Sequence, residues 1–308
     1  MEALRYAVFG HPVAHSRSPW IHAAFAAQFG IELDYARIDA SPADFAAALD
    51  HFGRGGGRGA NVTLPHKAAA AAACTELAPR AQRAGAVNTL IRLDDGIDGS
   101  ARWRGDNTDG IGLVRDLQQH HGLAMREARV LLIGAGGAAA GIAPALLDAG
   151  IGALAITNRN RERLAALEAR LADGRVHARP WPAHGPDDDD DDGNGNGNGN
   201  GDGDGDGDEA HCPPRHAAAF DIVINATSAA RGSDPARWPL PRDLARGWAA
   251  VDLGYGAAAA SFLMAAREHG AGACIDGLGM LVEQAAESFF LWHGCRPDTG
   301  PILVALRD

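Results

Sequence analysis

The sequence predicts an α/β fold in two domains, with parallel sheets covered by helices. Three observations carry this. Strand-like apolar runs alternate with helical ones along the chain, the pattern of βα units. The length, 308 residues at 46% hydrophobic, suffices for two sizeable cores. An uncharged run over residues 130–147 is long enough for a membrane span, but Gly134-Ala135-Gly136-Gly137 interrupts it. Strand, glycine turn and helix is the better reading.

The elements follow in order. Residues 5–9 form an apolar strand directly after the N-terminus, with no signal peptide ahead of it. Ser18-Pro19 starts a helix, Ser as cap and Pro at the first helical position. A strand over 33–38 follows, and Ser41-Pro42 starts a second helix by the same device. Further strands are predicted over 60–63 and 87–93, then a helix from Asp109 to about His121. Strand 130–133, helix 138–149, strand 153–157 and helix 161–171 come next. Later strands cover 220–224 and 249–253, and the chain ends in helices over 278–293 and after Pro301.

Residues 187–209 stand apart: six Asp, then alternating Asn-Gly and Asp-Gly. Such chain lacks the apolar content to offset its ordering entropy and reads as a disordered, dispensable surface insertion. It holds as many acids as the whole net charge of −11, so the remaining body is neutral and offers no basic field to nucleic acid. The four cysteines show no C-x-x-C pair or zinc spacing and read as thiols in a reducing cytoplasm. No metal site is expected.

The chemistry starts at Lys67, the only lysine among 28 basic residues. Arginine replaces lysine wherever bulk charge suffices, but not where an amine must give up a proton. Reducing a ketone leaves negative charge on its oxygen, and an adjacent ammonium both stabilises that charge and supplies a proton. His11, His15, His22 and His66 are rival acid–base groups, read as structural because no carboxylate accompanies them in the motif. Asp109, at a helix start, suits the macrodipole there and can also serve as a partner for an ammonium. Ser16 and Ser18 precede a helix, where hydroxyls and backbone N–H groups can hold a carboxylate; Ser18 also reads as a plain cap.

Gly134-x-Gly136-x-x-Ala139 follows a predicted strand and opens a predicted helix, the context of a dinucleotide fingerprint. At the end of the next strand an NAD site carries Asp or Glu for the ribose. This chain has Asn158-Arg159-Asn160, with Arg163 one turn on, which suits the 2′-phosphate of NADP.

Several runs together resemble the shikimate dehydrogenase family. They are residues 8–19, Asn61-Val62-Thr63-Leu64-Pro65-His66-Lys67, Ala86-Val87-Asn88-Thr89-Leu90 and Asp106-Asn107-Thr108-Asp109-Gly110. Later come Asn225-Ala226-Thr227-Ser228, Tyr255 and residues 276–284. The resemblance spans nearly the whole chain in order. It implies a three-layer α/β substrate domain with a mainly parallel sheet, residues 1–108 plus 277–308. It also implies a Rossmann-like NADP-binding domain, 109–276, interrupted by 187–209.

The implied activity is reversible, NADP-dependent reduction of 3-dehydroshikimate to shikimate, in chorismate and aromatic amino acid biosynthesis. By the same resemblance Lys67 and Asp109 form the catalytic pair, and Ser16 and Ser18 bind the substrate carboxylate. Thr63, Asn88, Tyr255 and Gln284 line the substrate. Gly134, Ala135, Gly136, Gly137, Ala138, Asn158, Arg159, Arg163, Leu253 and Gly277 contact NADP. Three segments depart from the family pattern: a longer 94–105, Ala257 to Ala260 after Tyr255, and Ala229-Ala230-Arg231 after Ser228. The alternatives are a quinate/shikimate dehydrogenase using NAD and a non-catalytic NADP-binding module. The partner expected is a small-molecule substrate, with neither nucleic acid nor membrane, and a homodimer is left open.

Overall fold

The computed structural model describes residues 4–93, 96, 101–179, 181, 219–227, 238 and 240–307. The acidic run 187–209, Cys212, and residues 228–231 lie outside the described residues.

Two six-stranded sheets organise the described residues. In the first, β1 (Leu4–Gly10) runs parallel to β2 (Leu33–Asp39) on one side and β3 (Gly57–Val62) on the other. Beyond β3 come β5 (Thr89–Arg92), β6 (Trp103–Asp106) and, at the edge, β4 (Glu76–Leu77). β5 is antiparallel to both its neighbours, and β4 is parallel to β6.

Side chains alternate across this sheet, so each face gains its own core. Ala7 and Phe9 pack with Phe45 and Phe52 of α2 (Phe45–Arg54), Ala70 of α3 (Lys67–Ala73) and Ala81 of α4 (Pro79–Ala84). On the other face Tyr6 packs against Trp292 of α9 (Leu278–His293), ring centroids 4.6 Å apart. There α9 shares a core of Ile21, Phe25, Val282, Phe289 and Ile302 with α1 (Ser18–Phe29) and α10 (Gly300–Arg307). The C-terminal helices thus cover the N-terminal sheet.

The second sheet is parallel throughout: β7 (Arg129–Ile133), β8 (Ala153–Thr157), β9 (Val176–Arg179), β10 (Phe220–Asn225), β11 (Leu244–Asp252) and β12 (Ala273–Ile275). The order is β12-β11-β10-β7-β8-β9, which is the doubly wound order 3-2-1-4-5-6 read from its far edge. Val130 and Leu132 face α5 (Asp109–Arg115), α6 (Gly137–Asp148) and α7 (Arg161–Leu171). Leu131 and Ile133 face α8 (Ala257–Glu268). α5 packs against both α6 and α9, which joins the two helical layers.

Local departures from the sequence expectation have physical causes. Ser18 does not cap α1: it is the helix's first residue, Arg17 holds the cap position without a side-chain bond, and the Ser18 N–H donates to Ser16 Oγ at 3.3 Å. Ser41-Pro42 opens a turn, with the Ser41 hydroxyl on Asp44, and α2 begins only at Phe45. The α-helix from Asp109 ends at Arg115, and residues 116–120 continue it as a wider π-helical turn. β4, β6, β9, β12, α3, α4 and α8 went unread. Most are two to four residues or runs of alanine, too short or too uniform for periodicity to register.

Candidate active site

The site forms where β1 and β3 end side by side. The loop after β1 (residues 11–17) is tied to the loop after β3 (residues 63–66) by the His11 N–H on the Leu64 carbonyl, 3.0 Å. Thr63 is itself anchored by its N–H on the Phe9 carbonyl, 2.9 Å. Lys67 is the first residue of α3, so its side chain leaves the helix start toward the sheet's C-terminal edge.

Asp109 reaches the same place from a segment with each polar side chain engaged. Asp106 accepts a two-pronged bond from Arg80, 2.6 and 3.0 Å. Asn107 donates to the Ala86 carbonyl and accepts from the Asp109 N–H. Thr108 meets Asn88, and Asp109 opens α5. The Lys67 Nζ donates to Asp109 Oδ2 at 2.5 Å, with the two side chains only 16% and 7% exposed. Asn88 Nδ2 donates to the other carboxylate oxygen at 2.7 Å.

A cavity of about 240 Å³ opens at this pair. Ser16, Ser18, Thr63, Lys67, Asn88, Asp109, Tyr255 and Gln284 all line it. Two residues expected at the cofactor, Leu253 and Gly277, line it as well. A Cβ on Gly277 would lie 2.2 Å from the Leu253 carbonyl oxygen, so only glycine lets these two segments meet. Their approach is secured by Asp252, which accepts from Asn225 Nδ2 and the Gly254 N–H, both at 2.7 Å.

The remaining cofactor candidates lie outside the cavity, along the C-terminal edge of the second sheet. Gly134 sits at φ +114°, which L side chains rarely adopt, and leads into α6. Added Cβ atoms at Gly136 and Gly137 would meet nothing within 4 Å, so the N-terminus of α6, beside Ala135 and Ala138, is an open cradle. It lies beside β10, where the strand order reverses. Asn158 Nδ2 donates to the Asn160 carbonyl, and Asn160 caps α7 through the Arg163 N–H. The exposed guanidinium of Arg159 lies over the Trp181 ring, 5.1 Å from its centroid. An open cradle for pyrophosphate and a cation at the next strand end fit NADP.

The histidines resolve by their partners. His22 is fully buried, and burial drives its pKa down to about 3, so it stays neutral and donates to Asn61 Oδ1 at 3.1 Å. His66 Nε2 donates to the Ala40 carbonyl at 2.8 Å. His11 does have a carboxylate partner, Asp39 at 2.7 Å; it comes from β2, far off in sequence, where a motif could not reveal it. His15, which the sequence reads as structural, also lines the cavity, as do Arg17 and Asn61, to which the sequence assigns no role. For Asn61 a signal existed: a polar residue inside a buried strand. Among the described residues no cluster of His, Cys, Asp or Glu is placed to hold a metal ion. Nor is any helix there long and apolar enough to cross a membrane.

Family descriptions match along the chain. "Shikimate dehydrogenase substrate binding domain" covers residues 8–90 and "Shikimate / quinate 5-dehydrogenase" residues 116–182. "Shikimate 5'-dehydrogenase C-terminal domain" covers residues 277–307. A Shikimate dehydrogenase (NADP(+)) of Xanthomonas oryzae pv. oryzae is 52% identical over 309 residues, spanning 100% of this chain and 96% of that protein.

The chain belongs to the shikimate dehydrogenase family.

Solved structures agree in fold. A Shikimate 5-Dehydrogenase from Thermus thermophilus, in complex with NADP(H) and shikimate, aligns at TM-score 0.73 and 32% identity, over 99% of this chain and 98% of that one. An Ael1 enzyme from Pseudomonas putida aligns at TM-score 0.79 and 37% identity, over 99% and 98% of the two chains. The family's oxidoreductase character and its two-domain α/β fold with a Rossmann-like half are shared here.

Proposed function

We propose that this protein catalyses the reversible NADP-dependent reduction of 3-dehydroshikimate to shikimate. The observation that carries the reading is the 2.5 Å contact of Lys67 with Asp109 inside a cavity shared with Ser16, Ser18, Thr63, Asn88, Tyr255 and Gln284. Ser16 and Ser18 hold the substrate carboxylate through their hydroxyls at the start of α1, where the helix dipole favours an anion. Thr63, Asn88, Tyr255 and Gln284 fix the ring. Lys67 donates its proton to the carbonyl oxygen during reduction and takes it back during oxidation. Asp109 holds the ammonium in place and compensates its charge.

Bound NADPH supplies the hydride. The Gly134 turn would let the backbone N–H groups of Ala135 to Ala138 hold the pyrophosphate, the Gly134 N–H itself being engaged with the Thr157 carbonyl, and Arg159, Arg163 and Asn158 would hold the adenosine end with its 2′-phosphate. Leu253 and Gly277, which line the substrate cavity, would hold the reactive end beside it. The division of labour is residues 1–108 plus 277–308 for substrate and 109–276 for cofactor. The work is done in the cytoplasm, where thiols such as Cys74, Cys274 and Cys295 stay free.

The test is a two-by-two assay of shikimate or quinate, each with NADP or NAD. Shikimate with NADP is expected to give the highest kcat/KM; fastest turnover of quinate with NAD sinks the reading. Arg159→Ala sharpens it. A charge-assisted bond is worth roughly 1.5–3 kcal/mol, so the KM for NADP should rise at least about tenfold. The KM for NAD should scarcely move. Equal losses for both cofactors would show that Arg159 supports the fold through Trp181 rather than binding the phosphate.

A further inference from the structure

Asn88 is buried beside the Lys67–Asp109 pair, and its amide could sit either way round. One orientation turns its NH2 toward Asp109; the other turns its oxygen there. Two neighbours have only one possible role and therefore decide. The Thr108 backbone N–H can only donate, and it lies 2.8 Å from Asn88 Oδ1. The Asp109 carboxylate, paired with the Lys67 Nζ through its other oxygen, accepts, and it lies 2.7 Å from Asn88 Nδ2.

Besides the Thr108 N–H and, at 3.2 Å, the Thr108 hydroxyl, the oxygen end of Asn88 has a further and nearer hydroxyl donor, reached through residues that do not line the cavity. Thr89 Oγ1 lies 2.9 Å from Asn88 Oδ1 and 2.8 Å from Ser288 Oγ. Ser288 Oγ lies 3.0 Å from Asn61 Nδ2. Asn61 is oriented in turn, because its oxygen accepts from the Tyr35 hydroxyl at 2.7 Å and from the neutral His22 at 3.1 Å. Its NH2 must donate, so the Ser288 hydroxyl accepts from it, and the single Ser288 proton has two acceptors in reach, Thr89 Oγ1 at 2.8 Å and the Gln284 carbonyl one turn back at 3.0 Å. Given to the nearer one, it completes one direction from Asn61 to Ser288, to Thr89, to Asn88 and on to Asp109. Thr89 and Ser288 are fully buried, out of reach of bulk solvent that could substitute for a missing member. In such surroundings successive bonds of one sense reinforce each other.

We propose that Thr89 and Ser288 are positioning residues for catalysis: their hydroxyls relay orientation from Asn61 to Asn88 and so keep the Asn88 NH2 on Asp109. Reversed, Asn88 would set an oxygen against the carboxylate that holds Lys67. The inference rests on the assignment of Lys67 and Asp109 as the reacting pair, and it extends the site to two residues behind the wall.

The test is steady-state kinetics of Thr89→Val, which keeps the shape and removes the hydroxyl. We expect kcat for shikimate oxidation to fall about tenfold, the worth of one hydrogen bond lost from the transition state, with KM for shikimate and NADP within about threefold. Thr89→Ser restores the hydroxyl and should recover most of that kcat. Ser288→Ala breaks the preceding link from a helix and should repeat the loss; it decides alone if Thr89→Val does not fold. The distinguishing measurement is the same pair of substitutions in an Asp109→Asn background. A residue acting through Asp109 adds little further loss there, whereas one that only supports packing adds its full loss again. Full additivity, or unchanged kcat in folded Thr89→Val and Ser288→Ala, overturns the proposal. Failure of the parent reading would show differently, as wild-type protein inactive on shikimate.

Discussion

Lys67→Arg is expected to abolish most turnover while leaving the cofactor site intact. The substitution keeps a positive charge beside Asp109, so the ion pair and the local fold survive. A guanidinium does not release its proton in the usable pH range, so the donor is lost. Positioned acid–base catalysis is worth about 10²–10⁴ in rate, and kcat should fall by that factor. NADP binding, followed by fluorescence titration, should stay near wild type, since the glycine turn before α6 belongs to the other sheet. A second measurement uses the composition of the chain. Lys67 is the only lysine, so an amine-reactive reagent has two targets, Lys67 and the N-terminus. Labelling of Lys67, read by peptide mass, should track loss of activity, and shikimate should protect. An active enzyme with Lys67 fully labelled, or near-normal kcat in Lys67→Arg, removes the lysine from the mechanism.

Glu287→Gln is expected to cost the fold about 3 kcal/mol, the lower end for breaking a buried ion pair, because its arginine partners are partly exposed. Glu287 is 7% exposed by side chain and accepts from Arg80 at 3.0 Å, Arg115 at 2.6 Å and Arg296. Arg80 also holds Asp106, so the network ties α4, α5 and α9 together behind the catalytic segment. Burial alone would raise the pKa of Glu287. Hydrogen bonds from Arg115, Arg296 and Arg80, with the charge of Arg115, outweigh it and hold the carboxyl down at about 2. The folded pKa is thus below the unfolded value of 4.5. The group therefore contributes stability above pH 4.5, which is lost as pH falls toward 2. Urea unfolding of wild type and variant at pH 7 and near pH 2 checks this. The gap between them should be large at pH 7 and close toward pH 2. A gap of the same size at both would mean that the glutamine side chain disturbs packing, not charge.

Much of the α/β order was legible because its signals are local. The strands over 5–9, 33–38, 130–133 and 153–157 were found within a residue or two, since apolar runs bounded by turns mark them. The glycine turn at Gly134 was readable because φ +114° leaves almost no other residue type. Two-residue β4 and the alanine run of α3 left no comparable trace. Ser18 as a cap misled for a different reason: Ser-Pro is a capping signature, yet the helix starts one residue earlier than that signature places it, with Ser18 inside it and Arg17 at the cap position.

The sequence by itself determined which residue types are proposed to carry chemistry: one lysine, glycines at a strand–helix turn, and arginines in place of an acid at the next strand end. It also determined the family, through motifs strung along nearly the whole chain. Only the tertiary structure decided which of them meet. Lys67 and Asp109 are 42 residues apart, and they touch because α3 and α5 both start at one edge of the first sheet. Thr89 and Ser288 are 199 apart, and they meet because α9 returns from the C-terminus to cover that sheet. The reason is physical. Residue type and local spacing set what a side chain can do, but a hydrogen bond needs its partner at about 3 Å, and only packing of distant elements sets that distance.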